Sequence, residues 1–137
     1  MARILLVDDD VESCEPLIAM FERAGHTVKH VHQARAGLAA LPVVLPDLVI
    51  VDLRMPHVDG FAFLRQLREE PIGARMPVIL MTAFSDDDTR WKASEMGVDH
   101  VFLKSDYDAR RLLNTIDDVT AGYEPLPSIQ QHMIPAL

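Results

Sequence analysis

The chain has one cysteine, one tryptophan and few aromatic residues, which make up 6% of its 137 positions. A single cysteine, Cys14, excludes an intrachain disulfide and is compatible with a reducing cytoplasm. No apolar run approaches the roughly 20 residues that a membrane-spanning helix needs, and no signal peptide precedes the first predicted strand. We therefore expect a cytoplasmic protein that does not contact a membrane.

Positive charge is also scarce, because 13 basic residues face 21 acidic ones and the net charge is −8. An acidic chain of this kind is a poor candidate for gripping a phosphate backbone. The short stretch after the last predicted helix leaves no room for a helix-turn-helix. Both features disfavour a DNA-binding regulator, and we predict no direct contact with nucleic acid.

Apolar residues are abundant, at 49% of the chain, and they argue against disorder. Short apolar runs typical of buried strands alternate with amphipathic stretches typical of helices. The alternation predicts an α/β fold with a five-stranded, doubly wound sheet. This domain is predicted to occupy residues 1–122. Residues 123–137 contain three prolines and no clear period, so we expect a tail or linker there.

Prolines and capping residues indicate where the helices begin and end. Pro16 is tolerated only in a first turn, so the first helix is expected to start near Ser13 or to be kinked. Pro42 is expected to close the second helix. Ser85 is the predicted N-cap of the fourth helix, and the last helix is expected to begin near Asp106.

Four predicted strands run directly into polar side chains. Ile4 to Val7 leads to Asp8-Asp9-Asp10, Leu48 to Val51 leads to Asp52, Val78 to Met81 leads to Thr82, and Val101 to Leu103 leads to Lys104. In an open parallel sheet, the carboxyl ends of the strands line the functional crevice. We expect these side chains to meet there.

The chemistry of these side chains points to phosphoryl transfer. Carboxylates at Asp8, Asp9 and Asp52 repel one another unless a cation neutralises them, and hard oxygen ligands suit Mg²⁺. A carboxylate beside Mg²⁺ can act as a nucleophile and become an aspartyl phosphate. Lys104 and the Thr82 hydroxyl can then neutralise the phosphoryl oxygens.

Each residue also has an ordinary structural interpretation. An Asp after a strand is often only a turn residue or a helix cap. Thr82 alone would more often cap the next helix, and Lys104 alone would more often be solvated. His30 and His32 share one strand face but lack further ligands, so we expect them to be surface residues. The agreement of four strand ends favours a site.

The same residues resemble the receiver domain of bacterial two-component response regulators over about residues 3–120. The motifs are Leu6 to Asp10, Asp52 to Gly60, Met81-Thr82-Ala83, Gly97-Val98-Asp99 and Lys104. The resemblance implies a flavodoxin-like fold with strand order 2-1-3-4-5 and helices on both faces of the sheet. It implies a signalling module rather than an enzyme.

The resemblance also implies a role for each site residue. Asp52 would accept a phosphoryl group from the phosphohistidine of a sensor histidine kinase or a phosphotransfer protein. Asp8, Asp9, Asp52 and the backbone carbonyl of Arg54 would hold Mg²⁺. Thr82 would be the switch hydroxyl and Lys104 the phosphate-pairing lysine. The output partner, homodimer formation, and whether the chain is a single-domain regulator or a receiver cut from a longer protein stay open.

Two positions depart from the family's pattern. Ser105 stands where the family usually has proline, and we expect the peptide bond before it to be trans. Val101 stands where the family often has an aromatic residue, with Phe102 one position later. In the family, that aromatic side chain swings into the space behind the switch hydroxyl, which Val101 has no ring to do. We therefore expect the loop from Ala83 to Asp88, and Phe84 in particular, to be the moving part instead.

A Mg²⁺-dependent phosphohydrolase is the alternative, because such enzymes also place a nucleophilic Asp after a strand. Two features oppose it. The chain has no room for a cap domain that would select a small substrate. Position 54 is Arg54, where an Asp-x-Asp arrangement would have its general acid.

Overall fold

The structure is a computed structural model that describes residues 1–55, 58–83, 86–98 and 100–123, with the backbone alone at positions 54, 55, 58 and 59. Within these residues, no helix is long and apolar enough to cross a membrane.

Five parallel strands form the central sheet. They are β1 (Arg3–Val7), β2 (Thr27–Val31), β3 (Leu48–Val51), β4 (Val78–Thr82) and β5 (His100–Leu103). Their spatial order is β2-β1-β3-β4-β5, and every neighbouring pair is parallel. The predicted order 2-1-3-4-5 and the doubly wound α/β class are confirmed.

Five helices connect these strands. They are α1 (Val11–Arg23), α2 (Ala34–Val44), α3 (Gly60–Glu69), α4 (Asp87–Glu95) and α5 (Ala109–Thr120). A 3₁₀ turn spans Pro71–Gly73, and a small antiparallel pair joins Arg54–Met55 to Val58–Asp59 between β3 and α3.

Two hydrophobic cores lie on opposite faces of the sheet. Alternate residues of a strand point to opposite faces, so Val49 and Val51 enter the core covered by α2, α3 and α4. Leu48 and Ile50 enter the core covered by α1 and α5. All four residues of β3 are fully buried, because β3 is the central strand and has helices on both sides.

The strand register aligns the carboxyl ends. Val7 pairs with Val31 on one side and with Val51 on the other. Further along the sheet, Val51 pairs with Leu80 and Thr82 pairs with Leu103. The residues that follow the strands therefore emerge along one edge.

Two helices differ from their predicted limits because proline is accommodated inside them. Helix α1 begins at Val11 rather than near Ser13, since the Asp10 carboxylate accepts a hydrogen bond from the Ser13 amide and caps the helix. Helix α2 continues through Pro42 to Val44. The proline ring has a helical φ and removes only one donor.

Helices α4 and α5 also begin at other residues than predicted, because each has an aspartate as its N-cap. The N-cap of α4 is Asp86, whose carboxylate accepts the Thr89 amide at 2.8 Å, and the prediction of Ser85 was wrong. Helix α5 begins at Ala109 rather than near Asp106, because Asp108 accepts the Arg111 amide at 3.1 Å.

Arg68 joins three parts of the fold at the amino-terminal edge of the sheet. Its Nε donates to the Met96 carbonyl oxygen at 3.0 Å, just past the end of α4. Its Nη1 donates to the carbonyl oxygens of Gly73 at 2.9 Å and Met76 at 2.7 Å. These bonds fasten α3 and α4 to the segment that leads into β4. The sequence carried no signal for them.

Replacing Arg68 should therefore destabilise the fold without touching the opposite edge. Arg68→Met leaves three carbonyl groups without their donor, and we expect the free energy of unfolding to fall by about 2–3 kcal/mol. Arg65→Met is the matched control, because Arg65 is exposed on the same helix and makes no ion pair with a described residue. Urea denaturation measures both, and equal effects would contradict the assignment.

Candidate functional site

Backbone hydrogen bonds hold the first residue after β1, β3 and β5 in place. The Asp8 amide donates to the Val31 carbonyl oxygen at 3.1 Å, and the Asp52 amide donates to Val7 at 3.0 Å. The backbone amide of Lys104 donates to the backbone carbonyl oxygen of Thr82 at 2.9 Å. Each of these residues thus starts from a rigid strand end.

Three carboxylates converge at this edge. Asp8, Asp9 and Asp52 each offer one oxygen, and these oxygens lie within 4.8 Å of one another. Asp8 is 1% exposed and Asp52 is 6% exposed, while Asp9 is half-buried. Hard, anionic oxygens this close together form a donor set that fits a divalent cation such as Mg²⁺.

Lys104 supplies positive charge to the same cluster. Its Nζ lies 2.7 Å from Asp8 Oδ2 and 3.4 Å from Asp52 Oδ2. Burial lowers the pKa of this ammonium, but the hydrogen bond to Asp8 and the charges of Asp8 and Asp52 outweigh burial, so the pKa is raised overall. The described residues contain no cis peptide bond, which confirms the trans geometry expected between Lys104 and Ser105.

The two oxygens of Asp8 have different partners. Oδ2 accepts from Lys104, while Oδ1 accepts the Asp10 amide at 2.9 Å. Asp10 in turn caps α1. The acidic loop is therefore tied both to the ammonium of Lys104 and to the start of the first helix.

The remaining predicted residues have less complete descriptions. Thr82 is the last residue of β4 and is 1% exposed at the same edge. Arg54 lies two residues past Asp52 in the small antiparallel pair, where only its backbone is described. Phe84 lies outside the described residues.

Gly60 closes the loop that follows Asp52. Its amide donates to the Leu53 carbonyl oxygen at 3.1 Å. A Cβ at this position would lie 2.5 Å from the Leu53 Cα, which no side chain can occupy. Glycine is therefore required for the start of α3 to approach the backbone beside Asp52.

His30 belongs to the site region, although the sequence predicted a surface residue. Its Nε2 lies 2.8 Å from the Asp8 carbonyl oxygen, and the residue is half-buried. His32, whose ring centroid lies 4.5 Å from that of His30, is exposed as predicted. No sequence signal separates the two histidines, because the difference depends on how β2 ends beside β1.

A flavodoxin-like sheet with an acidic cluster and a lysine at its carboxyl edge defines the receiver class of signalling domains. The family model of the response regulator receiver domain matches residues 4–117, and the chain belongs to this family. It is a signalling family rather than an enzymatic one, so the predicted class is confirmed.

Individual relatives agree with this assignment. Protein PilH of Pseudomonas aeruginosa is 36% identical over 123 residues, which cover 89% of this chain and 100% of PilH. The DNA-binding dual master transcriptional regulator RpaA of Synechocystis is 28% identical, with 96% of this chain covering 54% of RpaA. The solved signal receiver domain of a histidine kinase from Syntrophus aciditrophicus is 30% identical, with a TM-score of 0.79 over 93% of this chain and 96% of that one.

Lys104→Met should strongly destabilise the folded protein. The change leaves buried carboxylates without their cation, and we expect a loss of about 3 kcal/mol near neutral pH. Because the Lys104 pKa is raised, this stabilisation is complete below the ordinary lysine value of 10.5. It disappears as the pH rises through the folded value.

Urea denaturation of wild type and Lys104→Met, from neutral pH to above the pKa of Lys104, measures the difference in their free energies of unfolding. Lys92→Met is the control, because the Lys92–Asp88 pair at 3.2 Å is exposed and should contribute less than about 1 kcal/mol. The difference in unfolding free energy between wild type and Lys104→Met should shrink as the pH rises through the pKa of Lys104 in the folded protein. A difference that does not shrink there would contradict the ion-pair assignment.

Proposed function

We propose that this receiver domain is a Mg²⁺-dependent phospho-acceptor switch. Asp52 takes a phosphoryl group from the phosphohistidine of a sensor histidine kinase or a phosphotransfer protein. One observation carries the proposal: the buried Asp52 carboxylate shares a strand edge with Asp8, Asp9 and the Lys104 ammonium. Family membership supports the kinase partner.

The proposed reaction needs a carboxylate nucleophile that stays in position although the neighbouring carboxylates repel it. An oxygen of Asp52 attacks phosphorus, a P–O bond forms as the P–N bond of phosphohistidine breaks, and the imidazole leaves with the electron pair. Asp8, Asp9, Asp52 and the Arg54 carbonyl oxygen would hold Mg²⁺, which would neutralise charge on the phosphoryl oxygens. The residues of this chain keep the acceptor oxygen placed.

Lys104 and Thr82 are proposed to bind the negatively charged phosphoryl group once it is attached to Asp52. Before phosphorylation, the Lys104 ammonium is shared between Asp8 and Asp52. After it, the ammonium pairs with a phosphoryl oxygen, and the Thr82 hydroxyl donates to another. The change of partner is a local electrostatic event of the kind that biases a larger conformational change.

Phe102 is poorly placed to replace an aromatic switch at Val101. Phe102 is 3% exposed and packs in the core beneath α1 and α5, with the Arg111 guanidinium 4.9 Å from its ring centroid. Val101 enters the opposite core, beside α4. We therefore propose that the signal leaves through the loop after Thr82, which includes Phe84, rather than through an aromatic side chain of β5.

The proposed domain covers residues 1–122, with residues 123–137 as a tail or linker. The family match to residues 4–117 supports this limit. The net charge of −8 supports the absence of direct contact with nucleic acid. The response regulator family supports a cytoplasmic location.

Asp52→Asn should abolish phosphorylation. Incubation with acetyl phosphate and Mg²⁺ is expected to add one phosphoryl mass to wild type and none to this variant. Asp10→Asn is the matched control, because Asp10 is exposed and asparagine keeps the helix cap. Undiminished labelling of Asp52→Asn would contradict the acceptor assignment, and turnover of small phosphate esters would favour the phosphohydrolase alternative.

Asp9→Asn should separate metal binding from folding. Removing one carboxylate is expected to weaken Mg²⁺ binding about tenfold or more in calorimetric titration. The same change relieves repulsion and should stabilise the metal-free protein by about 1 kcal/mol. Unchanged Mg²⁺ affinity would remove Asp9 from the ligand set, and Asp10→Asn again serves as the control.

A further inference from the structure

We infer that His30 is a positioning residue for the acidic site. Its side chain replaces a missing ladder donor at the end of β2 and so holds the backbone on which the carboxylates are carried. The inference rests on the function proposed above for its effect on metal binding, but its hydrogen bond can be tested without it.

The parallel ladder between β1 and β2 stops one bond short. Val7 pairs with Val31, and the Asp8 amide still donates to the Val31 carbonyl oxygen. In a continuing parallel ladder, the amide of Gln33 would donate to the Asp8 carbonyl oxygen. Here Gln33 is instead the N-cap of α2, and among the described residues no backbone amide donates to that oxygen.

The imidazole of His30 occupies the place of that donor. Its Nε2 lies 2.8 Å from the Asp8 carbonyl oxygen. A carbonyl oxygen carries no hydrogen, so the ring nitrogen must be the donor and must carry its proton on Nε2. Asp8 is 1% exposed, so without this bond its buried carbonyl group would lack a partner among the residues that the structure describes.

The position of this carbonyl group matters for the site because it belongs to the peptide unit that joins Asp8 to Asp9, two of the three residues that carry the carboxylates. The Asp8 side chain is fixed by Lys104 and by the Asp10 amide. Within the described residues, the Asp9 side chain makes no such hydrogen bond, so its placement depends on the peptide unit that joins it to Asp8. A donor on the Asp8 carbonyl oxygen orients that peptide unit directly, as outer partners orient the ligands of metal sites.

His32 provides a natural comparison. It directly follows the last residue of β2, with its ring centroid 4.5 Å from that of His30. It is exposed and makes no hydrogen bond to Asp8. If any histidine near the site could fill this role, both rings would bind Asp8. Of the two, only His30 does.

Side-chain NMR of the unaltered, metal-free protein tests the bond itself. Two-bond ¹H–¹⁵N correlation at about pH 8, where an ordinary imidazole is neutral, identifies the protonated ring nitrogen. We expect His30 to be protonated on Nε2, with a ring proton that exchanges slowly enough to be observed, unlike that of His32. Protonation of His30 on Nδ1 would overturn the inference whatever the protein's function.

Three variants then test the positioning role. His30→Leu keeps apolar bulk without a donor, and we expect the Kd for Mg²⁺ to rise about tenfold. His30→Gln places an amide donor near the position of Nε2 and should restore an affinity close to that of wild type. His32→Leu, the control, should leave the affinity unchanged.

Denaturation of each variant separates positioning from stability. A purely structural role would make Leu and Gln differ only in unfolding, with equal Mg²⁺ affinity, and that result would overturn the inference. So would a Gln variant as weak as the Leu variant. If wild type itself failed to bind Mg²⁺ or to be phosphorylated, the proposed function would fall, and the NMR result would still decide whether His30 donates to Asp8.

Discussion

Charge neutralisation at the carboxyl edge of the sheet is the constraint around which this domain is arranged. Two carboxylates, those of Asp8 and Asp52, are almost completely buried, and burial of unpaired charges is costly. Lys104 contacts both of them, although β4 and β3 lie between its strand and β1. The aligned strand ends make this reach possible, since they bring residues 96 positions apart in sequence within 2.7 Å.

The resting ion pairs also prepare the site for the proposed chemistry. Lys104 balances two of the three carboxylates in the metal-free state, so the acceptor is held in place before a cation or a phosphoryl group arrives. Preorganised charges of this kind cost little reorganisation at the moment of reaction. In the proposed function, an attached phosphoryl group would give the same ammonium a stronger partner, and its departure from Asp8 would be the physical signal of the phosphorylated state.

The two-core architecture limits the route that the proposed signal can take through the domain. Adjacent residues of β5 belong to different cores, with Val101 beside α4 and Phe102 beneath α1 and α5. Moving an aromatic ring by one position along a strand therefore moves it to the other side of the sheet. A ring at 102 can stabilise the packing of α5, but it cannot fill space behind Thr82 on the face that carries α4.

The sequence by itself determined the α/β class, the strand order implied by the receiver motifs, and the convergence of Asp8, Asp9, Asp52 and Lys104. The strand order followed from the family resemblance. The convergence was predictable because four of the five strands contain a short apolar run with a polar residue at the end of the strand or directly after it. That pattern is local, and parallel strands share one carboxyl edge. Helix limits were less accurate, since Pro42 inside α2 and Asp10, Asp86 and Asp108 as caps depend on local competition between donors and acceptors.

Only the tertiary structure decided the contacts between segments that are distant in sequence. Arg68 binds three carbonyl oxygens from two later segments, and nothing near Arg68 in the sequence distinguishes it from the exposed Arg65. His30 differs from His32 because the ladder to β1 ends between them, which leaves the Asp8 carbonyl oxygen in need of a donor. Backbone acceptors carry no mark in a sequence, so the side chains that satisfy them become visible only when the chain is folded.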